Sequence, residues 1–486
     1  MSKNLVVYTL VIAIFGLGIY SILKVGSRLL PDETPPNQSL SLSEDNPLDL
    51  QPKSDSHGTG ESLIAKLQQP LSLLLLQIIV IITIARGLGM LFTAMGQPAV
   101  IGEMVGGILL GPSLLGWLSP EVETFLFPLS SLGVLQMLGQ IGVILFMFIV
   151  GMELNPQSLR QRAHSAVLIS HVGILAPFML GTALSLFLYL PLAPQDVSFL
   201  AFALFMGIAM SITAFPVLAR IIEQRGLSGS SLGSTAIACA AVDDVTAWCI
   251  LAIVVAIARA EDLSGTVMTV GLALAFTAVM LFLIKPWLRK IMERTGYSET
   301  RSRGIIAGTL MFAFASALFT ETIGIHALFG AFLAGAVLPP QEILRAPVKE
   351  RLETFSTGFL LPLFFAFTGL RTQIGLMNDW QSWLLCGLIV TVAIAGKLGG
   401  TTLAARWTGM SWRESLSIGA LMNTRGLMEL IALNIGYELG ILSAEIFAMM
   451  VLMALATTFM TGPILSFIET RNPGTALAGS DSKATP

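Results

Sequence analysis

From residue 70 to residue 468 the chain is almost an unbroken series of apolar segments separated by short polar turns. The hydropathy pattern places helices at 70–93, 98–117, 131–153, 164–190, 197–224, 231–259, 266–289, 304–321, 323–340, 351–372, 383–408, 412–437 and 442–468. Each is about long enough to cross ~30 Å of hydrocarbon. Composition agrees: 54% of residues are hydrophobic and 12% charged, against about a quarter charged in soluble domains. The expected fold is an all-α polytopic membrane protein, held in a lipid bilayer.

The ends differ from this core. Leu5 to Leu23 is apolar but is followed by "KVGSRLLPDETPP" rather than a small-residue cleavage site, so residues 1–24 read as a retained transmembrane anchor. Residues 25–62 form a polar, acid-rich linker with Pro31, Pro35 and Pro36. Residues 63–470 hold about thirteen helices, and 471–486 a short polar tail. The basic loops "LRQRAHS", "KPWLRKIMERTGYSETRSR" and "RAPVKER" fall on one side, and the acid-biased "SPEVETF" and "RAEDLSG" on the other. The excess of Lys and Arg marks the cytoplasmic side, which places both termini there. Cys239, Cys249 and Cys386 lie in apolar segments without metal spacing, and His57, His164, His171 and His326 are scattered. With no phosphate loop, dinucleotide fingerprint or nucleophile elbow, neither an enzyme nor a bound cofactor is expected, and no nucleic-acid partner.

Two pairs of segments repeat. "GEMVGGILLGP" (Gly102–Pro112) resembles "GAFLAGAVLPP" (Gly330–Pro340), with Gly107 and Gly335 at one offset, and "LFMFIVGMEL" (Leu145–Leu154) resembles "LFFAFTGLRT" (Leu363–Thr372). The paired segments cross in opposite directions in the topology above, which makes an inverted repeat, a frequent plan of secondary transporters. The same comparison sets "SITAFPVLARII" beside "MNTRGLMELIAL". Both interrupt an apolar segment with polar residues and a helix breaker: Thr213 before Pro216, and Asn423 and Thr424 before Gly426. Broken helices in matching positions of two halves point to an ion site, where unwound carbonyls and half-helix ends meet the ion.

Beside these breaks stands "AIACAAVDDVTAWCILAIVVAIA", with Asp243 and Asp244 near its middle and no other charge within it. An ionised acid at the bilayer centre costs ~3 kcal/mol on insertion scales, and Asp243 lies more than two turns inside Ser234, too deep for a cap. Adjacent helical residues point about 100° apart, so the two carboxylates can serve different partners. Lys397 in "TVAIAGKLGGTT", the one charge between Asp379 and Arg406, is the candidate partner. A desolvated carboxyl favours its neutral form and a nearby cation its charged form. Such an acid can exchange H⁺ for Na⁺, Li⁺ or K⁺, and that competition alone couples the two flows.

Taken together, "QPAVIGEMVGGILLGPSLLG", "FMFIVGMEL", "SITAFPVLARII", "AVDDVTAWCILA", "IHALFGAFLAGAVLP", "LPLFFAFTGLRT" and "MNTRGLMELIALNIG" resemble the cation:proton antiporter-2 family over about residues 70–468. "DDVTAW" and "MNTRGLMELI" look most like its cyanobacterial sodium/proton antiporters and plant cation/proton exchangers. The resemblance implies an inverted-repeat antiporter fold, with two crossing broken helices in a core that moves against a dimerisation domain. It further implies a homodimer, with the helices near 70–93 and 266–289 at the interface. It makes Asp244 the ion-carrying acid, with Thr213 at the unwound crossover beside it, and makes Asp243 the partner of Lys397 in electrogenic exchange; the break in the apolar pattern makes the Thr213 hydroxyl a candidate ligand of the transported cation. Asp stands at 243 where the plant exchangers tend to have Asn. Asn423, Thr424, Arg425 and Glu429 belong to the second break, where bracing and ion binding both remain open. A channel would need a filter-like loop, and none recurs in the sequence. A sensor would carry a sizeable partner domain, and a carrier of organic ions does not explain two acids and a lysine. Plasma membrane and an internal, thylakoid-like membrane ask for the same helices, and the sequence does not choose between Na⁺ and K⁺.

Overall fold

The computed structural model describes residues 3–28, 66–67, 69–153, 163–227, 230–259, 263–295, 302–339 and 342–470. Residues 29–62 of the expected linker, the three residues after it, the 471–486 tail and parts of the basic loops at 154–162 and 296–301 lie outside them. Among the described residues every regular element is a helix. Among them, eleven helices are long and apolar enough to cross a membrane, and twelve if the bent pair Trp412–Met422 and Leu427–Glu438 is one span.

One expected span falls short. In place of a helix over 323–340 there is Ala327–Val337, 11 residues long, or ~16 Å at 1.5 Å per residue. A turn at Gly324 (φ 87°) precedes it and Leu338–Pro339 follows it. Its repeat counterpart, Ala99–Leu110, is also short, with Pro98 before it and Gly111–Pro112 after. Proline lacks the N–H that would continue the ladder, so the same chemistry ends both.

These short helices lock the repeats together through glycine. A Cβ on Gly107 would sit 2.6 Å from Ala366 Cα, and one on Gly369 would run into the Gly107 backbone. Symmetrically, a Cβ on Gly335 would sit 3.0 Å from Gly151 Cα, and one on Gly151 would run into Phe332 O. The short helix of each repeat thus lies against the long span of the other, Ala99–Leu110 on Leu361–Arg371, part of the span Arg345–Leu376, and Ala327–Val337 on Leu129–Glu153. A two-fold relation between inverted repeats produces this exchange, and small residues let the backbones meet.

The remaining spans surround the two broken helices. The first is Phe199–Ser211 and Phe215–Gln224, with almost every residue of its first half buried. The second bends by 43° between Met422 and Leu427. Ala163–Leu192, the aspartate helix Ser231–Arg259 and the lysine-bearing span Trp380–Trp407 pack around them. Helix Lys3–Gly26 lies against Ala163–Leu192, where Gly18 faces Met179, and touches the start of Phe199–Ser211, where Gly26 meets the ring of Phe199.

Candidate functional site: two broken helices around a pair of acids

The two breaks cross in contact. Ala214 N–H donates to Thr424 O (3.0 Å), and the Thr213 hydroxyl donates to Met422 O (3.1 Å). Each unwound strand therefore satisfies backbone groups of the other, which removes the main penalty for irregular backbone inside lipid. Pro216 at the start of Phe215–Gln224 forbids continuation from Ser211. Gly426 makes the second break possible at φ +156°, where a side chain is strained, and a Cβ there would also crowd Val217 at 3.1 Å.

A helix that stops in the interior leaves its last carbonyls without donors. Here two cations cap them. Arg425 donates to Ala209 O (2.9 Å) and Met210 O (2.5 Å), and Lys397 to Ser211 O. The negative end of Phe199–Ser211 thus faces two positive side chains, the favourable sense for the helix dipole. Each cation also holds an acid: Lys397 Nζ lies 2.8 Å from Asp243 Oδ2, and Arg425 Nη1 2.9 Å from Glu429 Oε2, all four side chains fully buried. Lys397 sits on a π turn, Ala395–Gly399, a local widening often found at functional sites. Gly396 lets this turn approach the backbone of Pro177, where a Cβ would stand 2.8 Å away.

Asp244 is different. It is 2% exposed, and neither oxygen has a hydrogen-bond partner among the described residues. The backbone N–H of Phe215, at the positive end of Phe215–Gln224, lies near it without closing a hydrogen bond, and Asp243 adds a like charge beside it. A cavity of about 10 Å³ lies beside it, walled by Asp244 together with Ile212, Ala247, Trp248, Leu251 and Met428. That is room for about one water. Five ionisable side chains therefore share this centre: three acids and two bases. Two pairs cancel, and Asp244 remains without a countercharge.

The structure brings together Asp243, Asp244, Thr213 and Lys397, along with Arg425 and Glu429. Thr213 is at the crossing but is not a wall of the small cavity. Thr424 accepts at its backbone oxygen from Ala214, and its hydroxyl lies 3.4 Å from that of Thr461. Asn423 is fully buried, and neither amide atom has a partner among the described residues. Sequence reasoning missed Thr458, which accepts from Arg425 N–H (3.0 Å) and donates to Arg425 O (2.7 Å), bracing the break from the neighbouring helix. Its signal was present in "ATTFMTG", three hydroxyls in an otherwise apolar segment.

The family model described as "Sodium/hydrogen exchanger, transmembrane" matches residues 78–470. The chain is 46% identical over 396 residues to the Na⁺/H⁺ antiporter NhaS4 of Synechocystis sp., covering 81% of this chain and 97% of that one. It is 41% identical to cation/H⁺ antiporter 17 of Arabidopsis thaliana (86% of this chain, 50% of that one) and 33% identical to K⁺/H⁺ antiporter 1 of Saccharomyces cerevisiae (82% and 46%). It thus spans about half the length of these plant and yeast relatives. The fold is shared with the sodium proton antiporter MjNhaP1 of Methanocaldococcus jannaschii, at a TM-score of 0.62 and 14% identity, over 84% of this chain and all of that one.

Proposed function

This chain belongs to the sodium/hydrogen exchanger family and exchanges a monovalent cation for protons across a membrane; we propose that Asp244 is the group at which the two ions compete. The observation that supports this most is its solitude. Lys397 and Arg425 are already matched by Asp243 and Glu429, so the third buried acid must hold either a proton or a cation. A site that cannot stay empty, and holds one ion at a time, couples the two flows without ATP or a redox centre. The test is Asp244→Asn in proteoliposomes, with internal pH read by a trapped dye. The variant is expected to fold and to lose cation-driven proton flux. Flux at the parental rate would overturn the assignment.

We further propose alternating access, with Asp244 opening to one face at a time, and Thr213 as a second ligand through the lone pairs its bond to Met422 leaves free. Na⁺ is the first candidate cation, with Li⁺ and K⁺ behind it, since the named relatives include both sodium and potassium antiporters. The Asp243–Lys397 pair supports electrogenic exchange. Cation entry at Asp244 disturbs the neighbouring pair, a second proton leaves, and two H⁺ exchange for one cation. An imposed potential of 100 mV then biases the cycle by ~2.3 kcal/mol per net charge. With valinomycin and K⁺ as the clamp and Na⁺ as the substrate, a rate independent of potential would select electroneutral exchange instead. Both termini on the cytoplasmic side and a homodimeric assembly complete the proposal.

A further inference from the structure

We propose that Arg371 and Glu438 form a latch that keeps the route to Asp244 closed from one face of the membrane, an inference that rests on Asp244 being the ion site. A cavity of about 340 Å³ lies on the face where Leu427–Glu438 ends, walled in part by Gln136, Gln140, Phe367, Ile431, Asn434 and Glu438. It stops just short of the space beside Asp244. Ile431 lines the large cavity and Met428 the small one. These residues are three apart on one half-helix, a rise of about 4.5 Å. A single apolar turn therefore separates the two spaces. They join if Leu427–Glu438 parts from Leu129–Glu153 and Leu361–Arg371.

Polar side chains tie that same joint. Glu438 Oε1 accepts from Arg371 Nη1 (3.1 Å) and from Gln136 Nε2 (2.7 Å). Arg371 also donates to Gln136 Oε1 (3.2 Å) and Asn434 Oδ1 (3.3 Å), and Asn434 donates to the Thr368 hydroxyl (2.8 Å). The guanidinium stands 4.2 Å from the ring centre of Phe367, a cation–π contact that fixes its plane. Three helices meet in this network, and only one of them carries the wall of the ion site.

Two features suit it to opening and closing. Glu438 is the last residue of its half-helix, where the dipole disfavours an acid, so Arg371 supplies what the helix does not. The side chains of Arg371 and Glu438 are 19% and 27% exposed. That is buried enough for a charge-assisted bond to hold and wet enough for both charges to be solvated once parted, unlike the sealed pairs at the crossing.

The experiment reads closure directly. Cys239, Cys249 and Cys386 are replaced by Ala, Ile431→Cys is added as reporter, and the full chain in proteoliposomes is labelled with a cationic, membrane-impermeant methanethiosulfonate. The parent labels slowly. Arg371→Gln and Glu438→Gln each label at least about tenfold faster, the factor that corresponds to about 1.4 kcal/mol. The charge reversal Arg371→Glu with Glu438→Arg returns the rate towards the parental one. Unchanged rates in both single variants overturn the latch, as does a reversal that labels as fast as they do. A Cys in place of the fully buried Phe205 reports unfolding. If one single variant fails that check, the other carries the test. Asp244→Asn separates the two readings: continued exchange in that variant removes Asp244 as the ion site, whereas the labelling rates at 431 still decide the latch.

Discussion

Lys397 serves two acceptors at once, the Asp243 carboxylate and the Ser211 carbonyl, and this makes it a structural member as well as an electrostatic one. Removing one partner of a buried pair strands the other charge at about 3–5 kcal/mol. Asp243→Asn and Lys397→Met are each expected to lower thermal stability in detergent by that order, and the double variant by much less than their sum. Strict additivity in thermal melts would mean that the two groups do not depend on each other. At Thr213, replacement by Val keeps the shape and removes the oxygen. Its bond to Met422 O is worth about 1 kcal/mol, and the apparent KM for the cation is expected to rise several-fold. An unchanged KM with a lower rate would assign the hydroxyl to bracing the crossing alone.

At the scale of elements, glycine decides where backbones touch. Gly335→Ala would force a Cβ against the backbone of Phe148 and Met152, whereas Gly133 faces open space. Thermal melts are expected to show Gly335→Ala destabilised by about 1–3 kcal/mol, in the range of overpacking, and Gly133→Ala near neutral or slightly stabilised by helix propensity. Equal effects would mean that the exchange between repeats carries no packing cost. Gly426 presents the same logic at a break. Its φ of +156° and its 3.1 Å approach to Val217 make Gly426→Ala costly by about 1–3 kcal/mol of backbone strain. That cost falls on the crossing that holds Arg425 and Glu429, so exchange is expected to drop while the surrounding helices persist by circular dichroism. Full activity in this variant would show that the break tolerates an ordinary residue.

For the whole molecule, the spans differ sharply in how much of their surface the chain itself covers. In Val267–Ile291 only 6% of the apolar window is buried and in Pro70–Ala94 22%, against 78% in Phe199–Gln224. The two least covered spans face lipid or a second copy, and the homodimer proposed above puts them at its interface. Phe282 is 81% exposed, and Phe282→Cys in a background free of other cysteines is expected to form a disulfide-linked dimer in native membranes under mild oxidation. Monomers alone, both there and by native mass measurement in mild detergent, would count against that interface.

The apolar periodicity, the paired Gly-rich segments and the matched helix breakers are local patterns, and local patterns are enough to establish a polytopic helical chain with an inverted repeat. The acids were legible for a related reason: a charge in an apolar run is so costly that its presence alone marks a site. The sequence could also nominate Lys397 as a partner, because few charges compete for the role. The choice of Asp243 over Asp244 comes from the resemblance and not from the local pattern, and nothing in the sequence says that Arg425 and Lys397 share the open end of one half-helix, or that Glu429 balances Arg425 and leaves Asp244 alone. Those depend on how spans far apart in the chain pack and on which way each side chain turns, and adjacent residues about 100° apart on a helix meet different neighbours. For the same reason Thr458, Arg371 and Glu438 passed as ordinary polar residues. Their partners lie 33 to 302 positions away in the chain, and only tertiary packing brings them within reach.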